Sequence, residues 1–127
     1  ESHIPQDKPV FILDYPRDMS PLCLPCNDDP NFSQRFEFYI GGMEIGNAYS
    51  ELNDSNVLKA NFEAETKFRK ENNLPSHPYD QEFIDACGKL PVCAGIGLGI
   101  DRLAMLFANS TNIEDVIYFP TSKFLEK

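Results

Sequence analysis

Two runs of alternating apolar and polar residues meet across a glycine pair: Arg35-Phe36-Glu37-Phe38-Tyr39-Ile40, then Gly41-Gly42, then Met43 to Leu52. Alternation is the period of a strand, and two adjacent glycines supply the positive φ angles that a tight hairpin turn requires. An antiparallel hairpin is therefore the element around which the rest of the chain must be arranged. Upstream, Val10-Phe11-Ile12-Leu13 follows Pro9 as a short β-prone run, and the stretch from Pro16 to Pro30, with Pro21, Pro25 and Asn27-Asp28-Asp29, reads as an ordered loop. Downstream, Asn53-Asp54-Ser55 supplies a cap for a helix over about residues 55–72, on which Val57, Leu58, Phe62 and Phe68 fall partly on the helical period. Asn72 to Pro75 stops that helix. Asp80 caps a shorter one carrying Phe83, Ile84 and Cys87, which Gly88 ends. Val92 to Phe107 reads as a glycine-rich strand running into an apolar helix, and a short apolar run, Val116 to Phe119, is closed by Pro120. A hairpin, then helices, then a strand and helix predicts an α+β fold, an antiparallel β-sheet flanked by helices.

With 127 residues, 42% of them hydrophobic, the chain has material for one core and reads as one domain or part of one. Its acidic balance, −9, argues against this segment being a polyanion-binding surface, which would need clustered Lys and Arg. A membrane helix needs roughly 18 consecutive apolar residues, and no window approaches that. The start, Glu1-Ser2-His3-Ile4-Pro5, lacks the basic and apolar stretches of a signal peptide, so the expected compartment is cytoplasmic. Cys23 and Cys26 have the spacing of a zinc knuckle, but Cys87 and Cys93 do not, and neither His3 nor His77 has a partner at ligand spacing. Free thiols are expected, and no zinc.

Chemistry concentrates in two places. On the second hairpin strand, Glu44 and Glu51 are seven positions apart, so alternation turns them to opposite faces unless the strand is distorted near Gly46, where a bulge or a close approach is expected. Asn47, Tyr49 and Glu51 share one face and offer an amide, a phenol and a carboxylate, a set suited to an ammonium group. Farther on, Gly95, Gly97 and Gly99 strip side chains from one face of a strand, so a ligand can lie against the backbone, and Arg102 follows at the mouth of a helix, where a guanidinium can grip a phosphate. The spacing is neither a dinucleotide fingerprint nor a phosphate loop.

These segments resemble a known family. Gly95 to Phe107, GIGLGIDRLAMLF, looks like motif 3 of the class II aminoacyl-tRNA synthetases; Phe36 to Asp54, FEFYIGGMEIGNAYSELND, looks like the preceding stretch of lysyl-tRNA synthetases; and Phe11 to Leu22, FILDYPRDMSPL, is similar to another of their segments. The resemblance implies the carboxy-terminal part of a class II catalytic domain, covering residues 1–127, that activates lysine with ATP and transfers it to tRNA(Lys). It assigns Glu44 and Glu51 to magnesium and the ATP phosphates, and Arg102, with Gly99 beside it, to ATP. It places Asn47, Tyr49, Glu51, Gly95 and Gly97 around lysine, with Glu51 and Arg102 as the catalytic pair. Such a site needs no protein nucleophile, because displacement at phosphorus is catalysed by positioning and charge. The resemblance also implies a homodimer when the protein is full length.

Neither motif 1 nor the motif 2 arginine is found among these residues, so the chain alone is expected not to activate lysine. Leu74 to Gln81, LPSHPYDQ, is more similar to the related ligases that attach lysine or β-lysine to elongation factor P, whereas Gly97 and the Asn47-Ala48-Tyr49-Ser50-Glu51 run have the tRNA-synthetase form and imply α-lysine. A third reading is a lysine-binding relative without catalysis, which would not need a phosphate arginine beside a carboxylate pair. Glu37, on the neighbouring strand, is expected to be replaceable by glutamine with little effect.

Overall fold

The computed structural model describes residues 3–125. Four strands, β1 (Val10–Pro16), β2 (Phe32–Ile40), β3 (Met43–Ser50) and β4 (Ala94–Leu98), form one antiparallel sheet in the order β1-β2-β3-β4. Four α-helices accompany it: α1 (Ser55–Glu71), α2 (Gln81–Cys87), α3 (Ile100–Ala108) and the short α4 (Ser122–Leu125). This is the α+β arrangement that the order of sequence signals predicts. Among the described residues no helix is long and apolar enough to cross a membrane.

The contacts divide the chain into two compact units. The first comprises the residues up to Ile12, Glu37–Asn47 and those from Ile96 onward; the second comprises Leu13–Phe36 and Ala48–Gly95.

In the first unit the hairpin turn is made by Gly41 and Gly42 at φ 62° and 74°. Both lie in the left-handed region that a side chain disfavours, which is why the turn falls on this pair. Tyr39, Ile45 and Met105 are buried here. Gly46 is required by packing, because the ring of Phe38 occupies the space that a β-carbon at this position would take. Phe38 also stacks on Phe11, ring centroids 5.6 Å apart. Helix α3 ends at Asn109, whose φ of 52° closes it in the left-handed conformation that asparagine tolerates. The apolar run 116–119 follows a 3₁₀ turn, Ile113–Asp115, that Asn112 caps, and its Tyr118 and Phe119 are exposed.

In the second unit Leu52, Leu58 and Ile84 form the core, with Leu22, Leu24, Phe62 and Cys87 packed around it. Both helices begin where their aspartates predict. Asp54 accepts from the backbone N–H of Asn56 and Val57 at 2.9 and 3.2 Å, and Asp80 does the same for Glu82 and Phe83 at 2.8 and 3.3 Å. Each cap contributes about 1 kcal/mol by satisfying N–H groups that have no partner within the helix. Of the apolar residues of α1, Leu58 and Phe62 meet the core, while Val57 and Phe68 face outward. Gly88 does follow α2, but in a right-handed conformation; its lack of a side chain is used instead for contact with Ser55, whose Cβ would lie 2.9 Å from an added β-carbon.

The proline-rich segment is held in place by arginines. Arg17 donates to the Cys23 carbonyl at 3.2 Å, and Arg35 donates to the Met19 carbonyl at 3.0 Å and to Ser20 Oγ at 3.2 Å while lying 4.4 Å above the Tyr15 ring. Cys23 bridges to Glu51 and Pro25 to Ser33, so the expected ordered loop is tied to the strands on both sides.

Candidate active site

Of the predicted site residues, the first unit holds Glu44, Asn47, Gly97, Gly99 and Arg102, and the second holds Tyr49, Glu51 and Gly95. Each group is arranged by its own local structure.

Arg102 lies in the first turn of α3, next to the strand-to-helix corner at Gly99. It donates from Nη1 to the Glu44 carbonyl at 2.9 Å and stands 3.7 Å from the Glu44 carboxylate. Gly99 makes this possible: its N–H donates to the Ile45 carbonyl at 2.8 Å, and a β-carbon on it would lie 3.3 Å from Arg102 Cδ. The arginine stem therefore packs where residue 99 has no side chain. Roughly half of the Arg102 side chain and a third of that of Glu44 remain exposed. An ion pair so placed contributes little to stability, about 0–1 kcal/mol, which leaves the guanidinium available to a stronger anion. At Gly97 a β-carbon would fit without a clash, its nearest neighbour being the Asn47 carbonyl oxygen at an ordinary van der Waals distance of 3.9 Å.

Among the described residues no cluster of three or more His, Cys, Asp or Glu side chains could hold a metal ion. Magnesium does not require one, because it takes one or two carboxylates and completes its shell with water and substrate phosphates. The partly exposed Glu44 carboxylate beside Arg102 fits that mode.

Glu37 departs from its sequence expectation. Alternation on β2 presents it as an ordinary strand carboxylate, yet it is buried, at 8% exposure, and accepts from the Tyr39 hydroxyl at 2.6 Å. A buried, hydrogen-bonded carboxylate is not a neutral site for substitution, so Glu37→Gln is not the near-neutral change that its strand position suggests. The i, i+2 placement of a phenol beside a carboxylate was the available signal.

In the second unit, Tyr49 and Glu51 line a cavity of about 320 Å³ together with Leu52, Phe83, Cys87 and Cys93. The walls are largely apolar, with the carboxylate and the phenol as the polar groups, which suits a ligand with an aliphatic stem and a cationic end. The Glu51 N–H donates to the Cys93 carbonyl at 3.0 Å, which fixes its backbone against the chain entering β4. Burial, and next the Glu51 carboxylate, push the Tyr49 phenol above its usual range; like any phenol at neutral pH it is protonated and can donate. A cavity of about 360 Å³ between Arg17, Asn61 and Phe68 is slightly larger but contains none of the predicted site residues.

All four cysteines are free, and Cys23 is buried. Burial raises the pKa of Cys87, and Glu51 raises it further. Since the thiolate is the reacting form, Cys87 is expected to alkylate more slowly than a free cysteine at pH 8, with a rate that still climbs with pH after the free thiol has levelled off. Iodoacetamide labelling across pH 7–10, followed by peptide mass spectrometry, measures this; a Cys87 rate equal to that of the free thiol at pH 8 would contradict it.

Residues 3–123 match the family described as tRNA synthetases class II (D, K and N), and the chain belongs to that family. It is 44% identical over 124 residues to a lysine–tRNA ligase of Anaeromyxobacter sp. (strain K), a match that takes in 97% of this chain and 24% of that protein. It is similarly 45% identical over 115 residues to one of Gloeobacter violaceus (strain ATCC 29082 / PCC 7421), covering 90% of this chain and 23% of the relative. One of Yersinia pestis (strain Pestoides F) is 44% identical over 124 residues, 97% of this chain and 24% of that protein. The chain spans about a quarter of the length of these relatives.

Proposed function

We propose that this chain is part of a lysine–tRNA ligase, which uses ATP to activate lysine as its adenylate and then transfers it to tRNA(Lys). The observation that carries the reading is the placement of the Glu51 carboxylate and the Tyr49 phenol in one largely apolar cavity. Within a family that serves aspartate, lysine and asparagine, such a cavity favours lysine. A carboxylate attracts an ammonium, repels the side chain of aspartate, and would be left without a counter-charge by asparagine.

In this reading Glu51 accepts from the lysine ammonium and Tyr49 orients that end of the substrate, while Asn47 and the backbone at Gly97 contribute elsewhere to the amino-acid site. Arg102 binds the ATP phosphates by charge-assisted hydrogen bonds. Glu44 offers magnesium a hard oxygen ligand, and the ion, when bound, offsets charge on the phosphates. Glu51, the other carboxylate that the resemblance gives to magnesium, is assigned here to the ammonium because it lines the Tyr49 cavity. The homodimer belongs to the same proposal. Similarity to lysine–tRNA ligases over nearly the whole chain favours tRNA over elongation factor P as the acceptor.

Amino-acid-dependent ATP–pyrophosphate exchange by the full-length protein tests the reading. Exchange with lysine and not with aspartate or asparagine is expected; exchange driven by aspartate would overturn it. In the same assay Arg102→Ala is expected to weaken ATP use by roughly 1.5–3 kcal/mol, the size of a hydrogen bond to a charged group. An unchanged KM and kcat for ATP would remove Arg102 from the site.

A further inference from the structure

Gly95 has an unusual neighbour. A β-carbon built on it would lie 2.5 Å from Glu51 Oε1 and 3.7 Å from Glu51 Cδ, and no other non-adjacent atom among the described residues comes within 4 Å. The carboxylate of Glu51 therefore rests over the bare backbone of β4, in the space that a side chain at position 95 would fill. Gly95 does not have a positive φ, so its backbone can be adopted by any residue. Neither backbone conformation nor core packing requires glycine here; what requires it is the resting place of one carboxylate.

We infer that Gly95 is a positioning residue: it selects the orientation in which Glu51 presents its carboxylate to the cavity it shares with Tyr49. The inference rests on the proposed lysine-binding role of Glu51 and deepens it. The family resemblance implies that this glycine leaves room for substrate; in the structure that room is already taken by the Glu51 side chain. A methyl group at 95 would meet only the far end of a flexible side chain, which can swing away without disturbing the fold. Gly95→Ala therefore separates binding from stability. It removes the carboxylate from its place while keeping Glu51 in the protein.

The test is a double-mutant cycle in the full-length protein, with lysine affinity read by calorimetry, KM and kcat by lysine-dependent pyrophosphate exchange, and folding by thermal melting. Gly95→Ala is expected to melt at or slightly above the parent temperature, to weaken lysine binding by roughly ten- to a hundredfold, as for a lost charge-assisted hydrogen bond, and to leave the KM for ATP unchanged. In a Glu51→Ala background the same substitution is expected to cost nothing further, because there is no carboxylate left to displace. Two results would overturn the inference. One is full lysine affinity in Gly95→Ala. The other is an undiminished loss when Gly95→Ala is added to Glu51→Ala, which would mean that the methyl clashes with lysine itself. If instead Glu51→Ala binds lysine as well as the parent does, it is the underlying role of Glu51 that fails, and the inference fails with it.

Discussion

Glu51→Gln in the full-length protein is expected to weaken lysine binding by about 2–5 kcal/mol, the cost of removing one member of a desolvated charge pair while its partner remains. Glutamine is nearly isosteric and keeps one acceptor oxygen, so the loss reports charge and not shape. The cavity that Glu51 lines has apolar walls contributed by Leu52 and Phe83, so water compensates an ammonium there only in part. Glu63, exposed on α1, is the fitting comparator, and Glu63→Gln should be within experimental error of the parent. The measurement is the lysine dissociation constant by calorimetry for both variants. Equal effects of the two, or none from Glu51→Gln, would mean that the cavity does not hold the lysine ammonium.

The second large effect is on stability. Leu58 is 1% exposed and sits at the centre of the Leu52–Leu58–Ile84 core, with Phe62 and Leu24 against it. Leu58→Ala is expected to destabilise the protein by about 2–5 kcal/mol, combining the lost transfer energy with the cavity left behind. Against a total stability of about 5–15 kcal/mol this is a large fraction. Val57, its neighbour on the same helix, is more than one-third exposed, and Val57→Ala should cost far less. Urea unfolding of the two variants in the full-length protein decides the matter. Similar midpoints would show that Leu58 is not a core residue.

The same helix illustrates how far the sequence reaches. Its start at Ser55 was legible because an aspartate cap is a local device: Asp54 bonds N–H groups two and three residues away, and nothing distant can change that. The hairpin was legible for the same reason, since the positive φ angles of Gly41 and Gly42 are a local demand. Which of Val57, Leu58, Phe62 and Phe68 would be buried was not legible. A helical period names a stripe, but the elements packed against it choose the members, and here Leu58 joins Leu52 and Ile84 in the core with Phe62 packed against that cluster, while Phe68 stays outside.

The site divides in the same way. Arg102, Glu44, Tyr49 and Glu51 were chosen from residue type, spacing and family resemblance, and the pairing of Arg102 with Glu44, 58 positions earlier, was not visible in either stretch alone. Glu37 shows the converse: by alternation it is one more strand carboxylate, and only its burial and its bond from Tyr39 distinguish it. The sequence by itself determined the local elements, their caps and turns, and the family, because each rests on short-range backbone chemistry or on a long match of residues. Tertiary structure decided which apolar residues form a core, how the contacts group into two compact units, and that the Glu51 carboxylate lies beside Gly95. Those outcomes depend on contacts between segments far apart in the chain, and for Gly95 the deciding contact is with a carboxylate 44 positions away.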